Sequence, residues 1–184
     1  MRRLIALCAL ALVAAWPAAA VDGGHAARID ELFADLKLAE TLRQSEEIRQ
    51  EIIMLWHDSG DADIDHKMRN AIAAMSLDRF DLALTYLDDI VADMPDYAEG
   101  WNKRATVYFM QQRYDESLAD VARTLALEPR HFGALAGLGM IMLEYGDRER
   151  ALEAYRQALA VDPHLENVRR AIEQLGAEDP GQGI

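Results

Sequence analysis

Cysteine is almost absent from this sequence. The only one is Cys8, which lies in an uncharged apolar run over residues 4–16. A lipid anchor on this cysteine is disfavoured, because Leu7 precedes it where a lipidation site needs a small residue. If the apolar run is removed during export, the remaining chain has no thiol. That excludes disulfides, thiolate metal ligands and cysteine nucleophiles from it.

Long apolar runs are also scarce, since no run of similar length follows the one over residues 4–16. That run is too short to cross a bilayer comfortably. Arg2 and Arg3 precede it, and Pro17 with three alanines follows it, an order typical of a cleavable secretory signal. We therefore expect residues 1–20 to be a signal peptide that is removed before Val21, leaving a periplasmic protein without a transmembrane anchor.

Positive charge is sparse. The chain has 19 lysines and arginines against 32 aspartates and glutamates, and its net charge is −13. Such an acidic surface repels a phosphate backbone, so nucleic acid is not expected as a partner. The excess of acid promotes solubility, and it also favours partner segments that are basic.

Sequence motifs for catalysis are missing too. The five histidines include no pair at i and i+4 and no H-E-x-x-H. Gly137 and Gly139 echo part of a dinucleotide fingerprint, but they lie in a helical pattern, where we interpret Gly139 as a small residue that lets two helices approach. We therefore expect no enzymatic activity, no cofactor and no metal.

The acidic segment of residues 58–65 is the strongest candidate for an ion site. Its alternating aspartates, from Asp61 to Asp65, are spaced like the first ligands of a calcium loop. However, His66 stands where the loop needs glycine, and Ile72 stands where it needs a bidentate glutamate. We interpret the segment as a linker that ends in an N-cap, with a helix starting after Asp65. A hydrolytic site near Asp61 is the least favoured alternative.

A fixed sequence period is the strongest positive signal in the chain. It separates Pro95, Pro129 and Pro163 by equal intervals, and each segment before them has apolar residues at helical spacing. The same period aligns Leu84, Leu118 and Leu152, then Ala92, Ala126 and Ala160, and the small residues Ala83, Ser117 and Ala151. The chain therefore contains three copies of one helical unit.

Each copy is interrupted half way along. The interruptions lie at Leu77 and Asp78, at Gln112 and Arg113, and at Gly146 and Asp147. Each unit is therefore predicted to be helix, turn, helix and proline. Asp96 and Glu99 form a capping-box pattern that predicts a helix start just after Pro95.

These units resemble tetratricopeptide repeats, whose pattern is W-x2-L-G-x2-Y followed by alanine, an aromatic residue and a closing proline. The second copy supplies Trp101, Ala105, Tyr108 and Pro129, and the third supplies Leu135, Leu138, Gly139, Ala151, Tyr155, Ala158 and Pro163. The first copy matches less well, because Lys67 stands where the aromatic residue belongs. The resemblance implies an all-α fold: an α-solenoid of about three helix-turn-helix units, at residues 64–97, 98–131 and 132–165.

The segments that flank the repeats are predicted to cover the ends of the solenoid. Residues 166–176 have helical periodicity and are predicted to form a capping helix, followed by a disordered tail over 177–184. Residues 25–58 contain two apolar stripes, which predict a helical hairpin docked on the N-terminal end against the outer face of the first repeat. A single bent helix is the alternative, because no glycine or proline marks a turn near Ala39.

The resemblance also implies a binding surface. In such repeats the first helices of the units line a concave groove that accepts an extended peptide or a partner helix. Its positions here are Met68, Ile72 and Met75, then Glu99, Asn102, Thr106 and Phe109, then Gly133, Ala136, Met140 and Leu143, with Arg170 on the capping helix. This groove is apolar and rich in methionine, which suits an adaptable surface. Alternatively, the three residues of the first unit pack on the hairpin or on neighbouring helices.

The resemblance favours one kind of partner over another. A subclass of these repeats clamps the C-terminal carboxylate of chaperones with Lys and Asn on the first unit and Lys and Arg on the third. The matching positions hold Met68, Ile72, Gly133 and Gly137, so an internal segment of a partner is expected instead. The overall form resembles the short exported, periplasmic repeat proteins of Gram-negative bacteria. This resemblance implies a non-enzymatic periplasmic adaptor that binds another envelope protein in cell-envelope assembly or integrity. A self-associating structural oligomer is the alternative, and the oligomeric state is left open.

Overall fold

The computed structural model describes residues 23–177. The predicted signal peptide and all but the first residue of the predicted tail lie outside this range. Over the described residues the chain forms nine α-helices and no strand. They are α1 Gly23–Leu38, α2 Leu42–His57, α3 Ala62–Ser76, α4 Phe80–Asp93, α5 Ala98–Met110, α6 Tyr114–Leu127, α7 Phe132–Glu144, α8 Arg148–Val161 and α9 Glu166–Ala177.

The helices pack in consecutive pairs. α3 packs on α4, α5 on α6 and α7 on α8, and each pair contacts the next through α4 with α5 and α6 with α7. α9 packs on α8. The predicted all-α solenoid of three helix-turn-helix units, with an N-terminal hairpin and a C-terminal capping helix, is confirmed.

The turns inside the three units share one backbone conformation. Asp78, Gln112 and Gly146 occupy the same position of successive repeats, and their φ angles are 55°, 60° and 72°. In each turn, the residue after this position donates its backbone N–H to the carbonyl oxygen of the residue five places before it. In the second unit this bond runs from Arg113 N to Tyr108 O at 2.8 Å. Only the glycine adopts this left-handed conformation without steric cost.

Close packing inside the third unit depends on Gly139. A Cβ at this position would stand 2.3 Å from the ring of Tyr155, so any side chain would force the buried ring or the two helices to move. This contact confirms the interpretation of Gly139 as a close-approach residue.

One predicted helix start and one predicted cap are wrong. α3 begins at Ala62 and not after Asp65, because the carboxylate of Asp61 accepts hydrogen bonds from the backbone N–H groups of Asp63 and Ile64 at 2.9 and 3.1 Å. α5 begins at Ala98 with no side-chain cap. The predicted capping box fails there because the carboxylate of Glu99 is turned toward other partners, described below.

The N-terminal hairpin is antiparallel, since Arg28 Nε donates to Glu51 Oε1 at 2.8 Å while His25 Nε2, earlier in α1, lies 3.0 Å from the carbonyl oxygen of Leu55, later in α2. A capping box of Thr41 and Gln44 starts its second helix. Its buried apolar residues are Leu32, Phe33, Leu36, Ile52 and Trp56, and they share one core with Phe132 and Leu135 of α7. The core of the first unit is separate and includes none of them. The prediction that the hairpin covers the outer face of the first unit is therefore wrong.

The outer face of the first unit does not need a cover. Within the solenoid, α5 faces α4 through Gly100, where a Cβ would stand 2.7 Å from Ile90, and through Val107, which is fully buried. At the corresponding positions of the first unit, α3 carries His66 and Ala73, and both are exposed. Because the first unit presents no large apolar residue at these two positions, the hairpin is free to pack elsewhere.

The concave surface and its hairpin

In repeats of this kind the first helices of the units, here α3, α5 and α7, line the concave side. α5 and α7 contact each other, and the contact of α2 with α5 places this helix of the hairpin on the concave side. α1 contacts α8, the second helix of the third unit. The indole of Trp56 stacks on the imidazole of His131, with ring centroids 4.0 Å apart and planes 7° apart. Its ring also lies 4.9 Å from that of Phe132. The hairpin therefore covers the beginning of α7, which the sequence reasoning left open to a partner.

A buried carboxylate lies at one end of this interface. Glu99, 4% exposed, is approached by Nε2 of His131 at 2.9 Å, by Nε2 of His57 at 3.1 Å and by Nζ of Lys103 at 2.8 Å. Asn102 Nδ2 also donates to it at 2.8 Å. Since His57 belongs to α2, this carboxylate joins the hairpin to the second unit.

The protonation of this cluster follows from its hydrogen bonds. Nδ1 of His131 accepts from the backbone N–H of Ala134 at 3.1 Å, so Nε2 carries the proton and donates it to Glu99. Burial raises the pKa of Glu99, but the hydrogen bond from His131, the close approach of His57 and the charge of Lys103 outweigh burial. They hold the pKa of this carboxyl well below its ordinary value.

A second buried carboxylate holds the other end of the hairpin. Asp162 is fully buried, and it accepts from Ser45 Oγ at 2.9 Å and from Arg49 Nε at 2.7 Å. Nε2 of His164 lies 2.8 Å from the carbonyl oxygen of Ala39, between the two hairpin helices. Polar contacts therefore hold the hairpin at both ends: with Glu99 and His131, near α5 and α7, at one end, and with Asp162 and His164, just before α9, at the other.

A third contact lies between these two ends. The guanidinium of Arg130 donates to Asp30 at 2.7 Å and lies 4.2 Å from the centre of the Phe33 ring. Both partners are on α1, so each helix of the hairpin has its own polar link to the repeats.

The structure offers no support for an ion site among the residues it describes. No group of three or more metal-ligating side chains within residues 23–177 could hold a metal ion. His57, Glu99 and His131 come together, but the Nε2 lone pair of His131 is replaced by the proton it donates. Asp61 is occupied as an N-cap, and Asp65 accepts from Ser59 N and Oγ at 3.0 and 2.6 Å. In the same part of the chain, no helix has the length and apolar character needed to cross a membrane.

The predicted groove residues divide into covered and open groups. Met68 is 2% exposed in the core of the first unit, so its prediction as a partner contact is wrong. The carboxylate of Glu99 contacts His57 of the hairpin and accepts a hydrogen bond from Asn102 of its own helix, so neither Glu99 nor Asn102 is free for a partner. Thr106 bonds the carbonyl oxygen of Asn102 at 2.9 Å.

The remaining predicted positions stay on or near the surface. Met75, Phe109, Ala136 and Leu143 are partly buried, and Gly133 and Arg170 are exposed. Ile72 and Met140 are 37% and 45% exposed. Ile72, Thr106 and Met140 occupy the same position of three successive first helices, and we call them the open row.

Several residues at the interface were missed by the sequence reasoning. They are Ser45, Arg49, His57, His131 and Asp162, and each contacts a residue on the other side of the hairpin interface. The first two precede Ile52 and Trp56 at helical spacing, a signal that one face of α2 is bound. No pattern in the sequence identified the surface that binds it, because the partners of Ser45 and Arg49 lie 117 and 113 residues away.

Comparison with known proteins gives consistent results. The family model of the tetratricopeptide repeat matches residues 96–164. A TPR repeat-containing protein of Rhizobium etli is 36% identical over 154 residues, which cover 84% of this chain and 76% of that protein.

Solved structures show the same fold at low sequence identity. The first TPR of Spaghetti (RPAP3), bound to an HSP90 peptide, has a TM-score of 0.61 at 15% identity and covers 63% of this chain and 92% of that one. A crystal structure of MamA has a TM-score of 0.57 at 14% identity and covers 84% of this chain and 82% of that one. At this level of identity the likeness concerns the fold alone.

Proposed function

Since the chain belongs to the tetratricopeptide-repeat proteins, we propose that it is a non-enzymatic adaptor that binds a segment of another protein on its concave surface. Domains of this family mediate protein–protein interaction, and one structural neighbour is bound to a peptide. The observation that carries the proposal is the open row. Its two apolar members, Ile72 and Met140, remain 37% and 45% exposed although the hairpin fills the neighbouring surface.

The partner segment is proposed to be internal, apolar and basic. Two apolar side chains, on the first helices of the first and third units with Thr106 between them, suit a segment that carries two separate apolar anchors. The net charge of −13 favours basic residues around those anchors. An HSP90-type C-terminal peptide is not proposed, because the positions expected to clamp its carboxylates are Met68, Ile72, Gly133 and Gly137, which carry no charge.

We further propose that the protein works in the periplasm, in cell-envelope assembly or integrity. This rests on the sequence features of residues 1–20 and on the resemblance to exported repeat proteins. Mass spectrometry of the protein recovered from the periplasmic fraction should give the mass of a chain that begins at Val21. Recovery of the uncleaved chain in the cytoplasm would contradict the location and leave the interaction proposal standing.

The open row can be tested by crosslinking and substitution. A photo-crosslinking amino acid at position 72 in intact cells should capture a partner, which is then purified. Ile72→Glu with Met140→Glu should weaken its binding at least about tenfold, because both apolar anchors are replaced by charge. A matched control, Leu38→Glu with Met54→Glu, changes residues that are 77% and 63% exposed on the hairpin.

Two outcomes would contradict the proposal. Unchanged binding by the open-row variant, or equal loss in the control, removes the open row as the binding surface. Capture of a second copy of the chain, with sedimentation showing a dimer, would instead favour the self-associating oligomer.

A further inference from the structure

α2 binds the repeats through a single face. Ser45, Arg49, Ile52 and Trp56 follow one another at intervals of four, three and four residues, so they lie on one side of the helix. The first two bond to the buried Asp162, the third is fully buried, and the fourth stacks on His131. This is the geometry of an amphipathic helix that is recognised by a groove.

The repeat helices contact one another directly. Each unit pairs its own two helices and contacts its neighbour, and the core of the first unit contains no hairpin residue. The hairpin shares the core of the second and third units, but only residues 58–61 connect α2 to α3, and Gly60 in this connection has a φ of 76°. The hairpin is therefore an element outside the repeat pattern that packs on the second and third units.

We propose that the surface under α2 is a second interaction site, specific for an amphipathic helix, and that α2 is its resident occupant in the isolated chain. The partner it fits is a helix with the same face: a small hydroxyl residue, then arginine, a branched aliphatic residue and tryptophan at the spacing of α2. The inference rests on the proposed function only in that the concave surface serves protein binding. The site is distinct from the open row.

Asp162 makes the site selective. It is fully buried, and it accepts from the backbone N–H of His164 and from Ser45 and Arg49 of α2. An occupant that brings no cation or donor to this position leaves a buried charge without its partner. Glu99 keeps His131, Lys103 and Asn102 of the repeats, so the selection rests on Asp162. A helix without a donor for Asp162 is therefore rejected, however apolar the rest of its face.

Attachment favours the resident helix. A tethered segment has an effective concentration in the millimolar range, so a free helix with the same sequence competes poorly with the intact hairpin. Weakening the contacts of α2, without touching the surface beneath it, should open the site to a helix supplied from outside.

The test uses a fluorescent synthetic peptide of residues 42–57 and the full purified chain. In the protein, Arg49→Ala with Trp56→Ala removes one polar and one aromatic contact of α2 and leaves Asp162 and His131 in place. This variant should bind the peptide at least about tenfold more tightly than the unaltered protein does, measured by fluorescence anisotropy. A peptide that carries the same two substitutions should lose this binding.

A control variant on the same helix separates the site from general loosening. Arg43→Ala with Met54→Ala changes an exposed arginine and a methionine that is 63% exposed, and its peptide affinity should equal that of the unaltered protein. Equal affinity in all three proteins, or no binding by the Arg49 and Trp56 variant, would overturn the proposal.

Hydrogen exchange on the unaltered protein tests the same idea without any substitution. The amides of α1 and α2 should exchange together and before those of α5 and α7, because the hairpin opens by itself. Simultaneous loss of protection in hairpin and repeats would contradict a displaceable occupant. Either result leaves the open-row experiment unaffected, so the two proposals fail separately.

Discussion

Glu99 shows how a single residue can take two roles that a sequence pattern does not distinguish. The capping-box pattern and the groove position both fall on it, but its carboxylate is turned to His131, His57 and Lys103. These contacts stabilise the ionised form, and the pKa of Glu99 lies well below 4.5 in the folded protein. Because the folded pKa is depressed, this contribution to stability is present above about pH 4.5 and is lost as the pH falls through the lower folded value.

Glu99→Gln is therefore expected to show a pH-dependent defect. At pH 7 the free energy of unfolding should fall by about 1.5–3 kcal/mol, since hydrogen bonds to a charged group become bonds to a neutral amide. The difference from the unaltered protein should shrink at strongly acidic pH, measured by urea denaturation between pH 3 and 7. Glu47→Gln on the exposed face of α2 is the control and should show no such trend. A difference that is constant with pH would contradict the charge assignment.

Gly137 and Gly139 provide a second prediction at the residue scale. Gly139→Ala places a Cβ about 2.3 Å from the ring of Tyr155, so overpacking should cost about 1–3 kcal/mol. Gly137→Ala meets no atom within 4 Å, and the better helix propensity of alanine should stabilise by about 0.5–1 kcal/mol. Thermal unfolding compares them directly. Effects of the same sign on both would refute this account of the contact.

At the scale of the repeat unit, the turns of the three units have the same backbone conformation but are built with three different residues. Gln112 adopts the left-handed conformation that Gly146 adopts freely, with φ values of 60° and 72°. The repeat period located each turn, because the interruption of the helical pattern is local. The cost of each turn was not visible in the pattern, since it depends on the φ angle that the two packed helices impose.

The turn of the second unit should accept glycine with a gain. Gln112→Gly removes the steric strain of a left-handed side chain, and about 1 kcal/mol of stabilisation is expected after the entropic cost of glycine is subtracted. Gln112→Ala keeps the strain and serves as the control, with an expected change near zero. Chemical denaturation measures both, and a destabilised glycine variant would show that the Gln112 side chain contributes more than its backbone costs.

At the scale of the whole molecule, the chain closes on itself over long distances. Ser45 meets Asp162, 117 residues away, so the hairpin covers part of the concave surface that three successive units create. The open row is the part of this surface that a partner can reach, and the surface under α2 is the part that the hairpin covers. This division is what separates the crosslinking experiment at position 72 from the peptide-binding experiment with α2.

The repeat period predicted the repeat units, and the helical spacing of apolar residues predicted their turns and the capping helix. These features follow from residues that contact their own unit or the next one, and such contacts recur in the sequence at a fixed spacing. The groove positions were implied by the family resemblance, which does not show whether they are accessible. Met68 and Ile72 are four residues apart and lie on the same side of α3, but Met68 is 2% exposed and Ile72 is 37% exposed.

Only the tertiary structure decided where the hairpin lies and what it covers. The apolar stripes of residues 25–58 predicted that the segment would pack on the repeats, but they did not specify the surface. That choice depends on Asp162 and Glu99 accepting donors from α2 and on His131 stacking with Trp56. These contacts join residues far apart in sequence and occur once each, so no period or motif records them.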